Sequence, residues 1–191
     1  MSTTRLALSL GIPFLLAACG SGTPTAAPVE KAEATPIALK QPGVGSGVTV
    51  TVLSVKQADH VGAAGYGPKA GPGETFVVVR YTIKNTGTKP LDSFNRPELA
   101  LLDGNDQTYS EDTTAGILAA ALNNDVQDTG SDLNPKVTAN ATAVWKLDKA
   151  SFDTKTWRIV ATLGGLGAKA DAAVSWPMNA DAEQPLTFSL Q

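Results

Sequence analysis

A regular alternation of side chains over residues 75–84 constrains the fold more than any other stretch of this chain. Apolar residues recur there at every second position, and the residues between them are mostly polar. Successive side chains of a β-strand point to opposite faces, so this pattern predicts a strand that buries one face. One-sided burial is typical of antiparallel sheets stacked in a sandwich, because parallel sheets are covered on both faces. The side chains assigned to the buried face are Val77, Val79, Tyr81 and Ile83.

Similar alternation recurs along most of the chain. It predicts further strands at residues 48–55, 98–102, 108–109, 137–148, 157–163 and 172–176, separated by turn-forming residues. About seven strands of this kind predict an all-β, immunoglobulin-like antiparallel β-sandwich over residues 44–178. The alternation changes phase at Val52-Leu53, which predicts a β-bulge there. Trp145, Trp157 and Trp176 fall on apolar faces and are expected in the core.

Two segments between the strands do not alternate. Residues 57–73 contain five glycines and two prolines, which predicts a flexible loop outside the core. Residues 114–122 are predicted to form about two helical turns, because Thr113 or Thr114 can cap the apolar run that follows.

The beginning of the chain has the organisation of a secretory signal. Arg5 precedes an apolar run at residues 6–16, which is shorter than the roughly 20 residues needed to span a bilayer. The sequence Leu16-Ala17-Ala18-Cys19 resembles the lipobox of bacterial lipoproteins, in which the cysteine carries a diacylglyceryl group and becomes the mature N-terminus. We therefore predict a lipoprotein signal peptide at residues 1–18 and a lipidated Cys19. The alternative is an ordinary secretory signal with a cysteine placed by chance.

The segments that flank the predicted sandwich have a different composition. Residues 19–43 are rich in threonine, proline and alanine and cannot bury enough apolar surface to offset the entropy of ordering. They are predicted to form a disordered tether, so the lipid on Cys19 would hold an extracytoplasmic domain at the cell membrane. At residues 179–191, Leu186, Phe188 and Leu190 alternate, which fits either an edge strand or a frayed tail.

Charge and cysteine content exclude several classes of function. The 191 residues include 15 Lys and Arg against 18 Asp and Glu, a net charge of −3. No basic cluster is present to bind phosphates, so nucleic acid is not a predicted partner. Cys19 is the sole cysteine, so neither disulfides nor a thiolate metal centre are expected, and stability must come from a hydrophobic core.

The sequence assigns no catalytic residue and no cofactor. His60 is the sole histidine, and no Gly-x-Ser-x-Gly motif supplies a nucleophile for it. His60 and Met178 are too few ligands for a copper site. The glycine clusters at residues 43–47 and 164–167 lack the Lys-Ser/Thr of a phosphate-binding loop, so both are predicted to be turns.

An acidic stretch is the main charge asymmetry. No Lys or Arg lies between Arg96 and Lys136, whereas eight carboxylates do. Asp103 and Asp106 share one predicted turn and could contact a cation such as Ca²⁺, which prefers oxygen ligands. Carboxylates from later in the stretch could complete such a shell only if that segment folds back over the turn. The alternatives are a set of solvated loops or an acidic surface for a basic partner. The candidates for the remaining ligands are Asp125, Asp128 and Asp132.

Several short motifs occur in order along the predicted sandwich: Phe76-Val77-Val78-Val79, Asn85-Thr86-Gly87, Leu102-Asp103-Gly104, Tyr109, Leu133-Asn134-Pro135 and Trp145. Together they resemble a bacterial domain-of-unknown-function family common on lipoproteins. Members are similar to immunoglobulin-like sandwiches, including the secreted immunoprotective extracellular antigen of actinobacteria. The resemblance implies location and architecture and brings no catalytic residues. This chain departs from the family at Lys136, where a glycine usually follows the proline.

These observations favour a lipid-anchored binding module over an enzyme. The expected partners are the membrane, through Cys19, and a protein or other envelope component that the sequence does not identify. A purely structural or antigenic surface protein and a hydrolytic enzyme are the alternatives. The sequence does not indicate an oligomeric state.

Overall fold

The computed structural model describes residues 34–92, 96–125, 131–163 and 173–178. These residues form nine strands and one helix, in two sheets. In chain order the elements are β1 (Thr35–Pro36), β2 (Pro42–Gly45), β3 (Val48–Ala58), β4 (Glu74–Asn85), β5 (Glu98–Leu102), β6 (Thr108–Tyr109), α1 (Thr113–Leu122), β7 (Thr138–Asp148), β8 (Arg158–Thr162) and β9 (Ala173–Pro177).

The two sheets confirm the predicted antiparallel sandwich. Sheet 1 has the strand order β1-β9-β8-β5-β6, and sheet 2 has the order β2-β3-β4-β7. Every pairing is antiparallel except that of β1 with β9. The seven strands predicted from alternation are all present, and β1 and β2 are additional. Within the described ranges, no helix is long and apolar enough to cross a membrane.

The core lies between the two sheets and is built from the alternating apolar positions. Trp145 and Trp176 are fully buried and Trp157 is nearly so, which confirms their predicted place in the core. Two of the three indole N–H groups donate to main-chain carbonyls: Trp145 Nε1 to that of Tyr109 at 3.2 Å, and Trp176 Nε1 to that of Gln41 at 3.2 Å.

The predicted bulge in β3 is confirmed. The pairing register with β4 shifts between Val52 and Ser54, so two residues of β3 span one step of its partner. Because of that extra residue, Val52 and Val55 both reach the core although an odd number of positions separates them.

The sandwich begins earlier than predicted. The prediction of a tether over residues 19–43 is wrong from Thr35 onward, because β1 pairs with β9 and the Ile37 amide donates to the Ser175 carbonyl at 2.8 Å. The composition is misleading because proline is tolerated on edge strands. Gly43 is also needed, since a Cβ there would lie 2.4 Å from Val174 Cγ2. Cys19, the signal segment and the tail at residues 179–191 lie outside the described residues.

Helix α1 begins at Thr113, one residue earlier than predicted, and its N-cap precedes both predicted caps. Asp112, not Thr113 or Thr114, is the N-cap, since its backbone is extended and its carboxylate accepts a hydrogen bond from the Ala115 amide at 3.0 Å. Aspartate is as effective an N-cap as serine and better than threonine.

Asn85 holds the turn after β4, and Lys136 has an unusual backbone angle in the turn that precedes β7. The buried Asn85 side chain donates to the carbonyls of Lys89 and Leu133, both at 2.8 Å, and accepts from the Gly87 amide. Lys136 has φ +67°, the left-handed region that glycine enters without strain. The structure therefore keeps at Lys136 the turn geometry for which the resembling family uses glycine.

Candidate functional site

The outer face of sheet 2 is divided into an apolar half and a polar half. Alternation directs the core residues of β3, β4 and β7 inward, so their neighbours form this outer face. At one end Phe76, Val78 and Val144 are buried in a second apolar cluster. At the other end the face is mostly polar, with Val44 on the edge strand β2 beside Thr49, Thr51, Thr82, Lys84, Thr138 and Asn140.

Helix α1 covers the apolar half. Ala115 and Ala119 pack in the second cluster, and Gly116 is buried as well, so the helix presents its small residues to the sheet. A Cβ at Gly116 would lie 3.1 Å from Glu111 Oε1 and 4.0 Å from the Thr142 carbonyl, so even an alanine there would require the Glu111 carboxylate to move by a few tenths of an ångström. The helix contains no charged residue, and Ile117 on its other side is 50% exposed.

Arg80, Asp125 and Thr142 join the end of α1 to the sheet. Arg80 donates from Nη2 to Asp125 Oδ1 at 2.8 Å and from Nε to Oδ2 at 3.1 Å, and Thr142 Oγ1 donates to Oδ2 at 2.5 Å. The Asp125 side chain is fully buried, whereas that of Arg80 is 37% exposed. These hydrogen bonds to Asp125 raise the pKa of Arg80, and partial burial opposes them. The expectation that Asp125 belongs to a solvated loop is therefore wrong.

The position of Asp125 follows from the way the helix ends. Asn124 adopts φ +51°, and the Asp125 amide donates to the Ala120 carbonyl at 3.0 Å. This bond closes a Schellman-type turn, which satisfies a carbonyl that the helix leaves without a partner. The turn delivers the Asp125 carboxylate to Arg80 on β4, and the interaction fixes the helix to the sheet.

The beginning of α1 is held against the edge of β7. The Asp112 amide donates to the Val144 carbonyl at 2.7 Å, and the Val144 amide donates to the Glu111 carboxylate. Desolvation raises the pKa of Glu111, the hydrogen bond from Val144 opposes that rise, and the nearby Asp112 charge adds to it. Both edge groups of Val144 are thereby satisfied, which keeps this part of a long edge strand from pairing with another chain.

The glycine-rich loop between β3 and β4 is an ordered hairpin and not the flexible segment predicted. The Val61 amide donates to the Pro68 carbonyl at 3.1 Å, and the Ala70 amide to the Asp59 carbonyl at 2.9 Å. Val61 is 2% exposed and packs in the second apolar cluster, so the hairpin covers part of the same face as α1. Tyr66 lies at its tip and is 71% exposed.

His60 is only half-buried within this hairpin. Its Nε2 atom is inaccessible to solvent and has no hydrogen-bond partner among the described residues. His60 pairs with Lys69 through a β-bridge, which places its main chain in the hairpin ladder. The main chain of His60 therefore helps to pair the two arms of the hairpin.

The closure of this hairpin gives a first testable prediction. Gly67→Ala is expected to lower the free energy of unfolding by roughly 2 kcal/mol, because backbone strain and a steric clash add there. Gly67 has φ +121°, and a Cβ would lie 2.1 Å from the Val61 carbonyl oxygen. Gly65→Ala is the matched control, since Gly65 has φ +78° but nothing within 4 Å of its Cβ position. Urea denaturation measures both variants, and equal losses would contradict the steric explanation.

Asp103 and Asp106, predicted as cation contacts, lie in the turn between β5 and β6. Asp103 is 8% exposed, and its Oδ1 accepts hydrogen bonds from the amides of Asn105 at 2.8 Å and Gln107 at 2.9 Å. Asp106 forms an ion pair with Arg158. Desolvation and the adjacent Asp103 raise the pKa of Tyr109.

The described residues provide no larger ligand group around this turn. Among them, no three His, Cys, Asp or Glu residues are grouped so that they could hold a metal ion. Asp125 is held by Arg80, and Asp128 lies outside the described residues. The cation contacts at Asp103 and Asp106 stay a prediction. The observed contacts give both carboxylates a role in the turn.

The described residues define a β-sandwich protein in which a helix covers the outer face of one sheet. Comparison of the sequence with known proteins assigns the family. The model of a family described as a domain of unknown function, DUF4352, matches residues 43–156. The chain belongs to this family. It is also 35% identical over 111 residues to the uncharacterized protein YxkC of Bacillus subtilis strain 168. That match covers 58% of this chain and 62% of YxkC, so the chain spans less than two thirds of the length of this relative.

Solved structures with the same fold come from Bacillus anthracis and Clostridium difficile. A conserved hypothetical protein from Bacillus anthracis superposes with a TM-score of 0.60 at 24% identity, over 72% of this chain and 93% of that one. An uncharacterized β-sandwich protein from Clostridium difficile 630 superposes with a TM-score of 0.50 at 13% identity, over 78% of this chain and 97% of that one. At these identities the similarity shows the fold alone.

Proposed function

We propose that this protein is a lipoprotein of the cell envelope that acts by binding a protein or another envelope component and not by catalysis. The observation that carries the proposal is Leu16-Ala17-Ala18-Cys19, placed after a short apolar run and containing the sole cysteine of the chain. A sandwich whose first strand begins at Thr35 follows this motif. A short segment between a lipid and a folded domain suits display at a membrane surface.

The roles of the polar side chains support binding over catalysis. Asp125 and Arg80 fix a helix to a sheet, and Asp103 closes a turn. Groups engaged in this way have a structural role in the fold. The resemblance to the immunoprotective antigen of actinobacteria makes a structural or antigenic surface protein the second candidate.

Replacing Cys19 with alanine tests the anchor. In cells supplied with a radiolabelled or clickable fatty acid, the native protein is expected to take up the label and to fractionate with the membrane. The Cys19→Ala variant should lose the label completely and leave the membrane fraction or remain unprocessed, because a thiol is the attachment site. Gel mobility and mass spectrometry of the N-terminus report the processing.

Ser21→Ala is the matched control, since Ser21 lies two residues after the proposed attachment site and offers no thiol. It should label and fractionate as the native protein does. Normal labelling and processing of Cys19→Ala would overturn the proposed anchor.

A further inference from the structure

Three exposed apolar side chains, Val44, Tyr66 and Ile117, lie on one side of the molecule. Among the described residues, four large apolar side chains are prominently exposed: Val44, Tyr66, Ile117 and Val137. Val44 lies on the outer face of sheet 2, because its neighbour Gly43 faces Val174 between the sheets. Tyr66 is at the tip of the hairpin and Ile117 is on α1, and both of these elements pack on that same face. We call this side, with α1 and the hairpin, the sheet 2 side.

Helix α1 is unusual for a helix at the surface of a protein. Such helices normally carry charged residues on the side away from the core. The sequence of α1, Thr-Thr-Ala-Gly-Ile-Leu-Ala-Ala-Ala-Leu, contains none, and Ile117 and Ala121 are exposed while Leu118 and Leu122 are half-buried. This composition fits a helix that lies against an apolar medium on its outer side.

Basic side chains accompany the apolar ones. Lys56 and Lys84 alternate with the core residues Val55 and Ile83, so they lie on the outer face of sheet 2. Carboxylates lie on that face as well: Asp125 is paired with Arg80, and the exposed Asp148 on β7 accepts a hydrogen bond from the Ala150 amide at 2.9 Å.

Other carboxylates on this side are held in contacts of their own. Glu74 is paired with Lys146 at 3.4 Å, and Asp59 lies 4.0 Å from Lys149. Asp112 caps α1, and Glu111 bonds to Val144. Apolar residues together with lysine are the combination that binds an anionic lipid surface.

We propose that the sheet 2 side lies on the anionic lipid surface of the membrane that holds the protein. This inference rests on the proposed lipid anchor at Cys19. Residues 20–34 separate Cys19 from β1 and span up to about 45 Å when extended. The two sheets of a sandwich are only about 10 Å apart, so a chain of this length lets either face reach the bilayer. The apolar helix and the lysines select the sheet 2 side.

Single-cysteine labelling of the lipidated protein tests this orientation. With Cys19 acylated, Ala121→Cys on α1 and Thr108→Cys on β6 each introduce the one reactive thiol. Both positions are exposed, but Thr108 is paired with Leu102 on the outer side of sheet 1. Each variant is labelled with an environment-sensitive fluorophore and reconstituted in phosphatidylglycerol vesicles that contain nitroxide-labelled lipid.

Contact with the headgroup region predicts quenching at position 121 that exceeds quenching at position 108 about threefold. The difference should shrink in phosphatidylcholine vesicles and after Lys56→Glu together with Lys84→Glu, because both changes remove the electrostatic attraction. Equal quenching at the two positions overturns the inference while the anchor stands. Shielding of position 121 from iodide without lipid quenching would place a second copy or another protein there and also overturns it. Two labelled thiols in either variant would show that Cys19 is not acylated, which overturns both proposals.

Discussion

Replacing Trp145 with alanine is expected to lower the free energy of unfolding by roughly 3–5 kcal/mol, the range for deletion of a large aromatic side chain from a core. Trp145 is fully buried, and its position on β7 faces the interior between the sheets. The substitution leaves a cavity and also removes the donor to the Tyr109 carbonyl, which connects β7 to sheet 1. Equilibrium denaturation in urea followed by circular dichroism measures the loss.

Two variants make this result interpretable. Tyr66→Ala changes an aromatic residue that is 71% exposed and should alter stability by at most about 0.5 kcal/mol. Trp145→Phe keeps a ring in the core and loses the indole donor, so a cost of about 1–2 kcal/mol is expected even if the alanine variant does not fold. Similar losses in Tyr66→Ala and Trp145→Phe would contradict the assignment of these residues to surface and core.

The strands were predictable because alternation reports burial directly. Where one face of a strand is buried, the sequence must repeat with period two, and the bulge at Val52 is visible as a change of phase. The short strands β1 and β2 were missed because they are ordered by pairing with β9 and β3, and their own composition carries no strand signal. Trp176 bonds to the Gln41 carbonyl and Ser175 to the Ile37 amide, and both partners come from more than 130 residues away in the chain.

The contacts on the sheet 2 side were less predictable from the sequence than the strands were. Asp125 stands in an acidic stretch with no nearby basic residue, and its partner Arg80 is 45 residues away on another strand. Val61 sits among glycines, so its burial depends on Phe76 and α1 and not on its own neighbours. One signal was available: the uncharged sequence of α1 indicates a helix with apolar surroundings on more than one side.

Removal of the Asp125 carboxylate is expected to release the end of α1. Asp125→Ala deletes the acceptor of two hydrogen bonds from Arg80 and one from Thr142, and hydrogen bonds to charged groups contribute about 1.5–3 kcal/mol each at most. A fully buried ion pair costs about 3–5 kcal/mol when one partner is removed. The Arg80 side chain is 37% exposed and can regain water, so we expect a smaller loss of roughly 2–3 kcal/mol.

The location of this effect distinguishes it from a general loss of stability. Hydrogen exchange should accelerate first at the amides of α1, since the helix would separate from Phe76 and Val78 while the two sheets remain paired. Thr142→Val keeps the ion pair and removes the third hydrogen bond, so a cost of about 1 kcal/mol is expected. Arg80→Lys should fall between the two variants, because lysine cannot donate two parallel bonds to one carboxylate. Uniform acceleration across β3, β4 and α1 in Asp125→Ala would show that Asp125 supports the whole sandwich and not the attachment of the helix.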